Sequence, residues 1–89
     1  MKAIVTVVGH DRIGIIAGVC GLLSQMHINI LDITQTILQG TFTMTMLVDT
    51  AACTRSFDAI AESLAAYGAN ESLSIRIQRE DIFTAMHHV

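Results

Sequence analysis

The order of apolar patterns along the chain predicts an α+β sandwich: one four-stranded antiparallel sheet with two helices on one of its faces. Three observations carry this. Runs with helical spacing alternate with strand-like runs in the order strand, helix, strand, strand, helix, strand. A Gln39-Gly40 pair separates two runs whose residues match across the turn. The composition, 52% hydrophobic over 89 residues, is that of a folded chain. A chain this short makes one domain, residues 1–89, and buries only about 60% of its unfolded surface. So apolar a composition also hints at surface covered by a second copy.

Residues 2–9 are rich in β-branched side chains (Ile4, Val5, Val7, Val8) and apolar on both parities, which suits a central strand. Gly9 ends it. The period then turns helical over residues 13–26, with Asp11 as the expected N-cap. Ile16, Val19, Cys20 and Leu23 share a face, widened by Ile15, Leu22 and Met26. Gly14, Gly18 and Gly21 each weaken a helix interior by about 1 kcal/mol against Ala. Their presence suggests close packing against the sheet, the other helix or a second subunit.

Residues 29–38 and 41–49 read as a hairpin. A two-residue turn sets Leu38 opposite Thr41, Ile37 opposite Phe42, Ile33 opposite Met46 and Leu31 opposite Val48. Thr36 with Thr43 and Thr34 with Thr45 then make the other face polar, so the register has internal support. After a connection over 51–56, Phe57, Ile60, Ala61 and Leu64 repeat at helical spacing, with Gly68 as the expected stop. Residues 72–78 alternate, with Leu73, Ile75 and Ile77 inward. A short C-terminal helix is expected within 80–89.

Right-handed crossovers turn this order into the ferredoxin-like βαββαβ layout, strand order 4-1-3-2. The second strand lies at an edge, where unpaired backbone groups are open to a second copy.

Composition excludes several function classes. Net charge is −3, and the five Lys and Arg are scattered, so no basic face exists for nucleic acid. The apolar run at 3–8 is too short for a signal-peptide core or a membrane span, which makes the cytoplasm the expected location. Cys20 and Cys53 have no metal-like spacing, and His87 and His88 are adjacent and point apart on a helix. No metal or cofactor is expected. Gly9 and Gly14 have the spacing of a phosphate loop, but Ile15-Ile16 stands where Lys-Ser/Thr is needed.

One stretch carries the chemistry. Gly9-His10-Asp11-Arg12-Ile13-Gly14-Ile15-Ile16-Ala17 links the first strand to the first helix, and Asn29-Ile30-Leu31-Asp32-Ile33-Thr34-Gln35 opens the second strand. A loop that opens a helix aims free N–H groups and the positive dipole end at whatever lies in front, which favours a carboxylate. Asp11 either caps the helix or contacts a ligand, and the two are compatible. Arg12 either pairs with a ligand carboxylate or is a solvated surface residue. Asn29 either bonds polar groups of a ligand or fills a left-handed turn position. Asp32 sits in a strand, where aspartate is disfavoured. It either meets an ammonium group or blunts the edge. Gln35 reads as an interface hydrogen-bonder. His10 and Asp11 invite an acid–base reading, but no nucleophile is near in sequence and the core is too small for a deep pocket. An enzyme is not expected.

The paired motifs, spaced by one helix, resemble the ACT domain over nearly the whole chain, in particular the small standalone ACT proteins of bacteria and archaea. The N-terminal modules of formyltetrahydrofolate deformylase and of the glycine-cleavage repressor are similar. The resemblance implies a ferredoxin-like fold. It implies homodimers that set sheets edge to edge or stack helices, and sensing of an amino acid or similar small molecule at the subunit interface. The ligand-binding positions it implies are Asp11, Arg12, Ile13, Gly14, Asn29, Ile30 and Asp32. The chain departs from the pattern where many members place Gly before the Asn-Ile pair; here Met26-His27-Ile28 precedes Asn29. The alternative is a protein–protein interaction module that docks a metabolic enzyme or regulator without a small ligand.

Overall fold

Six elements follow one another in the expected order: β1 (Lys2–His10), α1 (Ile15–Gln25), β2 (Asn29–Leu38), β3 (Thr41–Asp49), α2 (Phe57–Glu71) and β4 (Ser74–Arg79). The computed structural model describes residues 1–10 and 13–80. The sheet runs β2-β3-β1-β4, the 4-1-3-2 order read from its other edge. All three pairings are antiparallel. The expected C-terminal helix rests on 81–89, outside the described residues.

Alternation in the strands builds the core. Val5 and Val7 of β1, Met44 and Met46 of β3, and Ile75 of β4 meet Val19 and Leu23 of α1 and Ile60 and Leu64 of α2 in one buried cluster. Burying a side chain such as Leu23 or Leu64 contributes about 1.5–3 kcal/mol. Both helices therefore cover the same face. The alternate residues Ile4, Thr6, Thr43 and Thr45 lie half-buried on the open face.

The hairpin turn is the expected one. Gln39 (φ 51) and Gly40 (φ 79) are both left-handed, as a type I′ turn requires. Leu38 faces Thr41, Ile37 faces Phe42 and Ile33 faces Met46. The pairing expected for Leu31 is corrected. Ile30 faces Val48 and Asp32 faces Leu47, so Leu31 is the extra residue of a β-bulge. Two adjacent apolar residues, Ile30 and Leu31, hide such an insertion from any reading based on alternation.

Helix ends bring three further corrections. α1 begins at Ile15, and its N-cap is Gly14, at φ 90, rather than Asp11. Only glycine holds that backbone without strain. With this start, Ile15, Val19 and Leu23 face the core, and Ile16 is left 38% exposed. The apolar run was wide enough to allow either phase. α2 does not stop at Gly68. It continues to Glu71, and Ser72 at φ 58 closes it, with the Leu73 N–H donating to the Gly68 carbonyl at 2.7 Å. Gly68 is buried within the helix instead, against β4.

The exit of α1 resolves the departure at Met26-His27-Ile28. His27 takes the left-handed conformation, φ 57. The Ile28 N–H donates to the Leu23 carbonyl at 2.9 Å and the His27 N–H to the Ser24 carbonyl at 3.0 Å. This is a Schellman closure with histidine in the position usually held by glycine. Leu23 and Ile28, the positions whose apolar side chains accompany such a closure, both belong to the buried core.

Candidate functional site

The chain direction decides what the candidate residues can do together. β1 leads into the loop before Gly14, α1 runs back, and β2 then starts at the far end. His10 pairs with Thr41 and Thr41 with Leu38, so the opening of α1 lies beside the end of β2. Asn29 pairs with Asp49, and Asp49 with Lys2, at the opposite end of the sheet. The 11 residues of α1 separate the two ends by about 16 Å. One chain therefore does not bring Gly14 together with Asn29, Ile30 and Asp32.

At the first end, Gly14, Ile15, Ile16 and Ala17 line a cleft of about 250 Å³ with Gln35, Ile37 and Phe42. Gly14 has no side chain with which to cap the helix, and no acidic residue lies in the first turn. The first intrahelical bond is made by the Gly18 N–H to the Gly14 carbonyl at 2.9 Å. The N–H groups of the opening turn are thus left without a side-chain cap from the N-cap position, the arrangement that favours an anion. Ile13 is 99% exposed beside it. Asp11 and Arg12 lie outside the described residues.

At the second end, a cleft of about 490 Å³ is lined by Cys20, Ser24 and His27 of α1 and its exit, Asn29 and Ile30 of β2, and Ala52. Burial pushes the Cys20 thiol above its ordinary value. Nearby, the Ala51 N–H donates to Asp49 at 3.0 Å. Assisted by the N-terminal amine and Lys2, it holds the Asp49 carboxyl below the usual range against a smaller opposing effect of desolvation. Asp32 lies between these ends on the open face, opposite Leu47, and accepts from the Ile33 N–H at 2.9 Å.

Sequence reasoning missed Gln35, Ile37 and Phe42 at the first cleft and Cys20, Ser24 and His27 at the second. The signal was present in the topology. In an antiparallel layout, the end of β2 and not its start returns to the helix opening.

Between the two clefts lies a nearly uncharged surface. The sequences of α1 and β2 contain one charged residue, Asp32. On this surface Ile33 and Ile37 of β2 are 38% and 54% exposed, whereas Leu38, 70% exposed, is on the open face opposite Thr41.

A family model for the ACT domain matches residues 2–78. The chain belongs to the ACT domain family. The UPF0237 proteins it matches are covered over 98% to 100% of their length. A UPF0237 protein of Clostridium acetobutylicum is 52% identical over 89 residues, which is 100% of both chains. An ACT domain protein from Streptococcus pneumoniae has a similar structure, with TM-score 0.83 and 41% identity over 93% of each chain. A formyltetrahydrofolate deformylase from Pseudomonas syringae pv. tomato matches with TM-score 0.79 over 88% of this chain and 27% of its own. At 21% identity, that likeness shows the fold alone. Membership of the ACT family implies a regulatory small-molecule-binding module. No helix among the described residues is long and apolar enough to cross a membrane.

Proposed function

We propose that this ACT domain works as a homodimer, with an amino acid or a similar small zwitterion held at the subunit interface. The observation that carries the reading is the division of the candidate residues between two ends of one chain, with an open, nearly uncharged strand edge between them. β2 is bonded on one side only. After the Leu31 bulge, residues 32–38 form a regular run with no Lys and no Pro, and Asp32 at its start is its one charge. A second copy pairing antiparallel along this run satisfies the edge. It also carries the Asn29 end of one β2 toward the opening of α1 in the other copy.

Directly opposed residues of an antiparallel pair share a face. The register that uses all of 32–38 therefore sets Gln35 against the partner's Gln35 and Ile33 against the partner's Ile37. In this dimer a carboxylate rests on the N–H groups behind Gly14 of one protomer, with Asp11, Arg12 and Ile13 just before it in the sequence. The amine is met by Asn29 and Ile30 from the other side of the seam, while Asp32, on the open face opposite Leu47, stands outside this arrangement. Ligand binding then changes the balance of dimer states by its differential contacts with them.

Sedimentation equilibrium together with calorimetry against the twenty amino acids tests this. A dimer that binds one or more of them, and loses that binding in an Asn29→Leu or a Gly14→Leu variant, is the expected result. A chain that stays monomeric at every concentration, or that binds none at millimolar levels, overturns it.

A further inference from the structure

The cleft at the exit of α1 has a chemistry of its own. At about 490 Å³ it is large enough for a small-molecule side chain. No Asp, Glu, Lys or Arg lines it; its polar groups are the Ser24 hydroxyl, the Cys20 thiol, the His27 imidazole and the Asn29 carboxamide. Closed over by a second copy, it would take water from an entering charged group without offering it a counter-charge from Asp, Glu, Lys or Arg. Nor does the helix end offer strong attraction to a cation, because the carbonyls of Leu22, Leu23 and Ser24 already accept from the N–H groups of Met26, His27 and Ile28.

His27 adds an independent observation. Its backbone sits at φ 57, a conformation that L side chains rarely adopt and that glycine would hold freely. The chain nevertheless places an imidazole there, at the wall of the cleft. Glycine, the usual residue at this closing position, would leave the cleft without that ring.

Resting on the interface-binding reading above, we propose that this cleft receives the side chain of the bound amino acid. Ser24 and His27 then select an uncharged side chain that can hydrogen-bond, such as one with a hydroxyl. A site that hydrogen-bonds a hydroxyl discriminates against the isostere without one, because its own polar groups are left unpaired.

The test compares threonine with valine, its near isostere, and with aspartate and lysine, by calorimetry on the full chain. Wild type is expected to bind threonine about tenfold more tightly than valine, the effect of one or two net hydrogen bonds, and to bind aspartate and lysine more weakly still. The decisive variant is His27→Gly, which keeps the left-handed closure and so preserves the fold. It is expected to lose the preference for threonine over valine while still binding. A Ser24→Asp variant, at an exposed helical position, is expected to shift preference toward lysine. Equal affinity for threonine and valine in wild type overturns the selectivity proposal and leaves the interface reading standing. So does a preference that survives in His27→Gly. Wild type that binds no amino acid overturns both.

Discussion

Gly68 of α2 lies so close to the Leu73 carbonyl that a Cβ built on it would stand 2.6 Å from that oxygen. The same Cβ would be 3.2 Å from the Ile75 side chain. Both neighbours belong to the segment that leads into and forms β4, so neither can move without disturbing the sheet. Gly68→Ala should therefore destabilise the protein by about 1–3 kcal/mol, the cost of overpacking, although Ala is the better helix former. Urea unfolding measures it. At Gly18 the corresponding Cβ would meet the Tyr67 hydroxyl, the far end of a side chain. Gly18→Ala should cost less than Gly68→Ala, and equal costs would refute this account of the difference.

The backbone of Ser72 predicts the opposite sign. It holds φ 58 to close α2. A left-handed conformation costs an L residue roughly 1–2 kcal/mol, which glycine avoids at some cost in unfolded-state entropy. Ser72→Gly should raise stability by about 0.5–1 kcal/mol. In a domain of this size that is a rise in Tm of several degrees. Unchanged or lower thermal stability would count against it.

The exposed edge gives a third prediction. Ile33 and Ile37 are both more than a third exposed in one chain. Lysine at either position should leave the chain folded and oppose pairing of β2 with a second copy. Ile33→Lys and Ile37→Lys are expected to sediment as monomers with an unaltered circular dichroism spectrum. They should also bind amino acids at least tenfold more weakly, since half of each site comes from the other copy. Dimers that persist in both variants would remove the edge-pairing geometry.

Asp49 sets a pH dependence. Its carboxyl is held below the ordinary value of 3.8, chiefly by the Ala51 N–H. A depressed folded-state value means that the carboxylate stabilises the fold above 3.8 and that this contribution fades as pH falls through the folded value. The group is exposed, so the effect is small and weakened by salt. Wild type should lose slightly more stability than Asp49→Asn between neutral pH and pH 3. Urea midpoints at the two pH values provide the comparison, and identical losses would contradict it.

Much of this architecture can be read before any coordinates. Gln39-Gly40 specifies its own turn, and the threonine pairs behind it fix the register, because a one-residue slip would put polar groups in the core. The strand order follows from the order of elements and the handedness of crossovers. What could not be read has definite causes. Adjacent Ile15 and Ile16 leave the phase of α1 open, because both are apolar and only packing against the sheet chooses between them. Gly68 looks like a helix stop in one dimension, and only the approach of Leu73 shows that it is a spacer. The motif residues Gly14 and Asn29 were recognisable by type. Because they flank the 11-residue α1, their placement at its opposite ends was also legible, and a site joining both motifs within one chain runs against it.

The bulge at Leu31 bears on how chains of this kind are compared. The inserted residue stands outside the ladder, with Ile30 and Asp32 facing consecutive residues, Val48 and Leu47. Removing it would leave every later side chain of the strand on the side of the sheet where it already points. A homologue one residue shorter at this point is thus structurally equivalent from Asp32 onward. Counting forward from Asn29 without a gap would match each of its positions to the wrong neighbour.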